Sequence, residues 1–177
     1  QSYYPVSIIF RKILLPLILI YVFVLPLVLR FFPLQKIYFG YKFSISEIIY
    51  LWVSGAATML LVVNVLLKNM WGRARPNDVS YFNGFQDFNP WYKISDACSS
   101  NCSFVSGDSS VGFLLIVFYF ITKKNAYLYL GLILGSLLGF IRIAAGGHFF
   151  SDIIFSQIIV TVTILVSFVL YKKFYDK

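Results

Sequence analysis

Charged residues are scarce in this sequence, and long hydrophobic runs take their place. Only 12% of the 177 residues are charged and 59% are hydrophobic, whereas about a quarter of the residues in soluble domains are charged. This deficit excludes an ordinary soluble domain and predicts an integral membrane protein. The net charge of +8 would indicate a nucleic-acid partner in a soluble protein. Here we expect basic residues to flank membrane spans and face anionic lipid headgroups, and we predict no nucleic-acid partner.

Cysteine and histidine are also rare. The only cysteines, Cys98 and Cys102, lie in one polar loop that contains no histidine. The lack of further ligands argues against a metal site in this loop. A close pair on an oxidising face of a membrane predicts a disulfide, and the alternative is two free thiols. The sequon that begins at Asn101 is interpreted as a coincidence.

Five hydrophobic runs approach or exceed the length needed to cross roughly 30 Å of hydrocarbon. They predict an all-α integral membrane protein with one domain over residues 1–177, built as a bundle of five transmembrane helices. The start at Gln1 rather than Met indicates removal of a tag, a signal or a first segment, so the full-length protein would have five helices or, in the last case, six. Loops are expected at 33–45 and 69–106. The five runs are 13–32, 46–67, 109–122, 126–143 and 149–171.

Small residues recur at every fourth position of the fourth run. Gly131, Gly135 and Gly139 would form one stripe on a helix. Such a stripe predicts that another helix of the bundle packs closely against it.

Basic residues suggest which way the chain is oriented. If the 69–106 loop is outside, eight Lys and Arg residues are inside and seven are outside. Three of the seven, Lys68, Arg75 and Arg142, belong to the polar cluster described next. Without these three, eight basic residues are inside and four are outside, which predicts that this loop faces outwards.

Ionisable residues beside membrane spans are costly and often functional. Here they occur at the ends of the second and fourth runs and at the starts of the third and fifth. Because successive spans alternate in direction, all these positions lie at one membrane face. The residues are Lys68, Arg75, Ser106, Gly107, Asp108, Arg142, His148 and Asp152.

The residue types in this cluster suit a phosphate monoester. Lys68, Arg75 and Arg142 provide three positive charges, and the arginine fork binds phosphate oxygens in pairs. Ser106-Gly107 precedes an apolar run, where a glycine allows close backbone approach and helix N–H groups point at an anion. With three cations and no cluster of carboxylates, we predict no metal and no cofactor.

His148 and Asp152 have the spacing i, i+4 and would share one face of a helix. A carboxylate that accepts from one imidazole nitrogen fixes the tautomer and leaves the other nitrogen free to attack phosphorus. Taken singly, each motif also has a structural interpretation as a flanking charge, a helix cap or an interfacial histidine. Their joint occurrence at one face favours catalysis.

In these blocks the sequence resembles the type 2 phosphatidic acid phosphatase superfamily. That family's pattern is Lys-x6-Arg-Pro, then Pro-Ser-Gly-His, then Ser-Arg-x5-His-x3-Asp. The first block is complete as Lys68, Arg75 and Pro76. Ile141 replaces the serine of the third block, whose other positions match. The second block reads Val105-Ser106-Gly107-Asp108, so an aspartate stands where the family has a histidine.

The resemblance implies an α-helical membrane bundle with its active site at the outer membrane–water interface. It also implies that His148 forms a phosphohistidine and that Lys68, Arg75, Ser106, Gly107 and Arg142 bind phosphate. Asp108 takes the place of the general-acid histidine, either as the acid itself or as a group that holds a water or an arginine.

The sequence in and around the blocks, such as Trp71–Pro76 and Gly146–Asp152, resembles that of bacterial lipid A phosphatases. The aspartate favours their 4′-phosphatase branch, although the 1-phosphate has the leaving group that needs less acid help. This implies a lipid A or phospholipid substrate within the bilayer, and a multi-pass protein of the bacterial inner membrane whose site faces the periplasm.

The alternatives are a phosphatase for phosphatidylglycerophosphate, undecaprenyl pyrophosphate or phosphatidic acid, a lipid phosphotransferase, and a non-catalytic lipid-binding protein.

Overall fold

The computed structural model describes residues 4–32 and 40–175, which form an all-helical bundle. Within these residues the only β-type pairing is an isolated bridge between Val79 and Gln86. The all-α fold is therefore confirmed. Of the predicted 33–45 loop, residues 33–39 lie outside the described residues.

Four helical stretches are long and apolar enough to cross a membrane. Helices α1 (Tyr4–Leu19) and α2 (Leu25–Arg30) join through a π-helical turn at Ile20–Val24, and helix α3 (Ile45–Ala56) continues as a π-helix through Ala57–Asn69. Helix α6 (Asn125–Ala144) and helix α7 (Phe150–Tyr175) follow later in the chain. These stretches confirm four of the five predicted spans, with boundaries that differ by up to a few residues.

The third predicted span is shorter than the others. It consists of helix α4 (Gly107–Phe113), a 3₁₀ turn at Leu114–Ile116 and helix α5 (Val117–Thr122). At 1.5 Å per α-helical residue and 2.0 Å per 3₁₀ residue, its length is about 25 Å. Its side chains from Val111 to Phe118 are almost wholly buried. It is thus the central helix of the bundle, surrounded by protein rather than by lipid.

The glycine stripe of α6 packs against this central stretch, as predicted. A methyl group added at Gly135 would lie 2.2 Å from the Phe113 ring, and one added at Gly131 would lie 2.7 Å from Ile116. Added at Gly139, it would lie 2.5 Å from the Ser109 hydroxyl. Larger residues would push α6 away from α4, which carries two of the predicted site residues, Gly107 and Asp108.

The polar loop after α3 folds over one end of the bundle. A second hydrophobic cluster joins Phe104 and Val105 of this loop to Val63 of the preceding π-helix. The Trp71 ring stacks on Phe104 with centroids 4.9 Å apart. This packing fixes the loop on the same end of the bundle as the start of α4 and the start of α7.

Candidate active site

Two cations of the first block lie on either side of Asn101, a residue of the polar loop. The Lys68 ammonium donates to the Asn101 side-chain oxygen at 3.0 Å, and the Arg75 guanidinium donates to the Asn101 carbonyl at 2.7 Å. Lys68 is 7% exposed and also interacts electrostatically with Asp108 and Arg142. The predicted phosphate-binding cations are therefore brought together, with Asn101 as their shared anchor.

Asn101 is placed by the disulfide loop. Cys98 and Cys102 are joined, with Cα atoms 5.6 Å apart. The Cys102 amide donates to the Lys68 carbonyl at 3.2 Å, which ties this loop to the end of the π-helix. The bridge thus holds Asn101 next to the two cations.

Glycine makes room for two of the cations. A methyl group added at Gly107 would lie 3.2 Å from the Lys68 Cε atom, and one added at Gly147 would lie 2.4 Å from an Arg142 nitrogen. Ser106, before Gly107, caps α4, since its hydroxyl accepts from the Ser109 amide at 3.4 Å. A side chain at either glycine would therefore displace a charged group of the site.

Asp108 lies between two arginines. Its carboxylate is 3.3 Å from Nε of Arg142 and 2.8 Å from Nε of Arg11, a residue of α1. Arg11 comes from a part of the chain that the motif pattern does not cover. A carboxylate in this position anchors both guanidinium groups, which is one of the two roles expected for it.

His148 is held by a backbone carbonyl. Its Nδ1 lies 2.7 Å from the Ser103 carbonyl, while the Asp152 carboxylate is 3.6 Å from the same nitrogen, too far for a hydrogen bond. Donation from Nδ1 to Ser103 leaves Nε2 as the unprotonated nitrogen. The nitrogen available for attack is therefore Nε2, as required for a nucleophile.

The prediction that His148 and Asp152 share a helix face is wrong in detail. Helix α7 begins at Phe150, so His148 lies in the turn before it. Asp152 is in the first turn and accepts from the Phe149 amide at 2.9 Å, which satisfies a free N–H at the helix start. Asp152 acts on His148 through charge and through Ser103, whose hydroxyl donates to its carboxylate at 2.5 Å.

Arg73 completes this network, although by sequence it is only one of the four outside basic residues not assigned to the polar cluster. Its guanidinium donates to the Asp152 carboxylate at 2.5 Å and to the Ser151 hydroxyl at 2.8 Å. It also lies 4.2 Å above the Phe149 ring. Arg73 is 2% exposed and Asp152 is fully buried, so each neutralises the other's buried charge.

Burial and neighbouring charges decide the protonation of His148. Burial, opposed by Asp152, holds the pKa of the His148 imidazole below the usual 6.5. The neutral, nucleophilic form should therefore persist to a pH below 6.5. His148 is the only histidine, so ¹⁵N-histidine NMR of the detergent-solubilised protein reports this one ring. A midpoint at or above 6.5 would contradict the buried environment.

A cavity opens beside His148. It has a volume of about 530 Å³, within the range of small-molecule sites. Aromatic rings, the Asn77 amide and the turn before His148 line it. The lining residues are Pro76, Asn77, Phe82, Ile143, Ala144, Ala145, Gly146, His148, Phe149 and Phe150.

The comparison with known families agrees with this site. The sequence model of the PAP2 superfamily, the type 2 phosphatidic acid phosphatases, matches residues 48–176. The chain belongs to the PAP2 superfamily. The match covers every site residue predicted from the sequence, and the apolar helices make this PAP2 member a multi-pass membrane protein. Arg11 lies outside the matched segment.

Curated relatives of this PAP2 member carry the name lipid A 4′-phosphatase. The protein from Francisella tularensis subsp. novicida (strain U112) is 42% identical over 121 residues, which cover 66% of this chain and 53% of the relative. Those from Rhizobium leguminosarum and Rhizobium etli are each 36% identical, over 54% and 53% of this chain and 42% and 38% of their own length. The chain thus spans about half or less of each relative. No solved structure matches it.

Proposed function

We propose that this protein removes a phosphate monoester from a membrane lipid by way of a phosphohistidine at His148. The observation that carries the proposal is the state of His148: a backbone carbonyl fixes Nδ1, and Lys68 and Arg142 lie within electrostatic range of the ring. A nucleophile beside a cluster of cations is the arrangement that phosphoryl transfer requires.

The reaction has two steps. Nε2 of His148 attacks phosphorus, the bond from phosphorus to the lipid oxygen breaks, and that oxygen leaves with a proton from water. Water then attacks the phosphohistidine and gives up a proton, which neutralises the hydroxide left by the first step; the phosphorus–nitrogen bond breaks, and inorganic phosphate leaves. Lys68, Arg75 and Arg142 stabilise the negative charge on the phosphoryl oxygens in both steps.

Ser106 and Gly107 would complete phosphate binding, and Asp108 would position arginines. The Ser106 hydroxyl retains a proton to donate while it accepts from Ser109, and Gly107 keeps Lys68 against the start of α4. The ion pairs of Asp108 with Arg11 and Arg142 support an anchoring role over proton donation. A general acid must present its proton to the leaving oxygen, whereas this carboxylate faces two guanidinium groups.

We infer that the substrate is lipid A and that the 4′-phosphate is removed. The names of the three relatives support this choice. The aromatic cavity beside His148 offers a wall on which the carbon face of a sugar ring can pack. The remaining lipid would lie along the apolar outer surface of the bundle.

A lipid panel tests the proposed substrate. Purified protein is incubated with lipid A, phosphatidylglycerophosphate, undecaprenyl pyrophosphate and phosphatidic acid, each without acceptor lipid. We expect free phosphate from lipid A, and mass spectrometry of the product should show loss of the 4′-phosphate with the 1-phosphate retained. Loss of the 1-phosphate alone, or preference for another lipid, would refute the assignment. Phosphate that appears only with acceptor lipid would indicate a transferase, and no turnover would indicate a binding protein.

The site is proposed to face the periplasm from the inner membrane. Of the seven basic residues on its side, five belong to the proposed site or contact its residues: Arg11, Lys68, Arg73, Arg75 and Arg142. The other two are Lys12 and Lys93. Among the described residues, six basic residues lie at the other end: Arg30, Lys42, Lys123, Lys124, Lys172 and Lys173. By the positive-inside rule this supports a cytoplasmic location for the end that carries Lys123 and Lys172.

Activity is expected to be independent of divalent metal. Lys68, Arg75 and Arg142 supply at the site the positive charge that a metal ion would bring to a phosphate. Dialysis against EDTA should leave the rate of phosphate release from lipid A within about twofold of the untreated rate. A loss of rate that added Mg²⁺ restores would contradict this expectation.

A further inference from the structure

The N-terminal helix reaches the active site through Arg11. This residue of α1 lies outside the segment that matches the PAP2 superfamily. Its Nε is 2.8 Å from the carboxylate of Asp108. Asp108 is the position at which the second sequence block departs from the family pattern, in which a histidine stands there. The aspartate that replaces the family histidine in α4 is thus paired with a cation from α1.

The Arg11 guanidinium has N–H donors besides the Nε that approaches Asp108. A guanidinium group carries five N–H donors in a fixed plane, and the closest approach of Arg11 to Asp108 is made by its Nε. The Arg11 side chain remains 46% exposed, whereas those of Asp108 and Arg142 are only 13% and 11% exposed. Of the three side chains, that of Arg11 is thus the most accessible to a ligand.

The cluster carries more positive than negative charge. Lys68 interacts electrostatically with Arg75, Arg142 and Arg11, and the carboxylate that interacts with Lys68 is that of Asp108. The other carboxylate near His148, that of Asp152, is bound to Arg73. Four cations and one anion leave a net positive charge, most of which a phosphate dianion would neutralise.

We propose that Arg11 is a substrate-binding residue of this phosphatase. It donates hydrogen bonds to the lipid phosphate from the side of the cation cluster on which Asp108 lies. The inference rests on the proposed function and deepens it. Arginine does not give up its proton in proteins, so Arg11 stabilises the charge that develops on phosphoryl oxygens rather than protonating the leaving group. The N-terminal helix is therefore part of the active site.

The test measures binding and turnover in parallel. Orthovanadate binding to the purified full chain is measured by calorimetry, and phosphate release from lipid A gives kcat and KM. The variants are Arg11→Ala, Arg11→Lys, Asp108→Asn and the double variant Arg11→Ala with Asp108→Asn. Lys12→Ala is the matched control, because Lys12 is an exposed cation next in sequence.

We expect Arg11→Ala to weaken vanadate binding and lower kcat/KM by about 10- to 100-fold, the size of one lost hydrogen bond to a charged group. Arg11→Lys should lose less vanadate affinity and less kcat/KM than Arg11→Ala, because it keeps the positive charge. Lys12→Ala should stay within about twofold of wild type. Adding Arg11→Ala to Asp108→Asn should weaken vanadate binding further, since Arg11 contacts the ligand directly.

Two results would overturn the inference. In the first, Arg11→Ala binds vanadate as tightly as Lys12→Ala does. In the second, the double variant is no weaker than Asp108→Asn alone, which would mean that Arg11 acts only through Asp108. If wild type leaves lipid A untouched but the vanadate affinities keep the expected order, the lipid A proposal fails and the role of Arg11 stands.

Discussion

Replacing His148 by alanine should reduce phosphate release by on the order of 10⁴-fold or more, because the bond-forming nitrogen is removed. The chain has no second histidine to take its place. Rates are measured on lipid A in detergent micelles, with thermal unfolding in parallel. Retention of even a tenth of the wild-type rate would rule out His148 as the nucleophile.

His148→Asn separates chemistry from folding. The asparagine amide can still donate to the Ser103 carbonyl, which His148 Nδ1 contacts at 2.7 Å, but it offers no nucleophilic nitrogen. We expect a variant as inactive as His148→Ala, with a thermal stability closer to that of wild type. Vanadate binding should persist in it, since the cations remain.

Replacing Arg73 should impair both folding and catalysis. Arg73→Ala leaves the fully buried Asp152 carboxylate without its guanidinium partner, which should lower the free energy of unfolding by about 3–5 kcal/mol. Arg73→Lys keeps the charge but loses the planar contacts to Asp152 and Ser151. A small displacement of catalytic groups can cost about 10²-fold in rate, and we expect a loss of that size in kcat.

Controls for Arg73 distinguish positioning from simple destabilisation. In Arg73→Lys, vanadate affinity should stay within about threefold of wild type while kcat falls and the His148 titration shifts, because the residue acts through Asp152 and not on phosphate. Lys93→Ala, an exposed cation of the same loop, should behave as wild type. Equal losses of vanadate affinity and kcat in Arg73→Lys would show that Arg73 does not act in this way.

The convergence of the site could be predicted because it follows from alternation of spans. Lys68, Arg142, His148 and Asp152 lie at span ends, and hydrophobic runs locate span ends to within a few residues. Disulfide formation was likewise anticipated from the proximity of Cys98 and Cys102 in sequence. These predictions needed no knowledge of how the loop folds.

The contacts made by the loop and the N-terminal helix could not be predicted. Arg73, Asn101 and Ser103 lie in a segment without periodicity, so their partners depend on packing against Phe104 and the π-helix rather than on spacing. Arg11 stands beside Lys12, and nothing in the sequence separates a site residue from a flanking charge there. The available signals for Arg73 are the excess of cations within Lys68–Arg75 and the resemblance carried by Trp71–Pro76.

The position of His148 shows how a spacing rule can mislead. The i, i+4 interval with Asp152 suggested one helical face, but the fold uses Asp152 to cap the start of α7, which leaves His148 in the preceding turn. His148 and Asp152 still interact electrostatically, and Ser103 contacts both of them. The spacing was informative because the chemistry requires proximity, which a turn provides as well as a helix does.

The stereochemical course at phosphorus tests the phosphohistidine route most directly. Lipid A with a chiral, oxygen-isotope-labelled thiophosphate at the 4′-position is hydrolysed in isotopically labelled water, and the configuration of the released thiophosphate is determined. Attack by His148 followed by attack of water inverts phosphorus twice, so we expect net retention. Net inversion would mean that water attacks the lipid phosphate directly, and it would contradict a covalent role for His148.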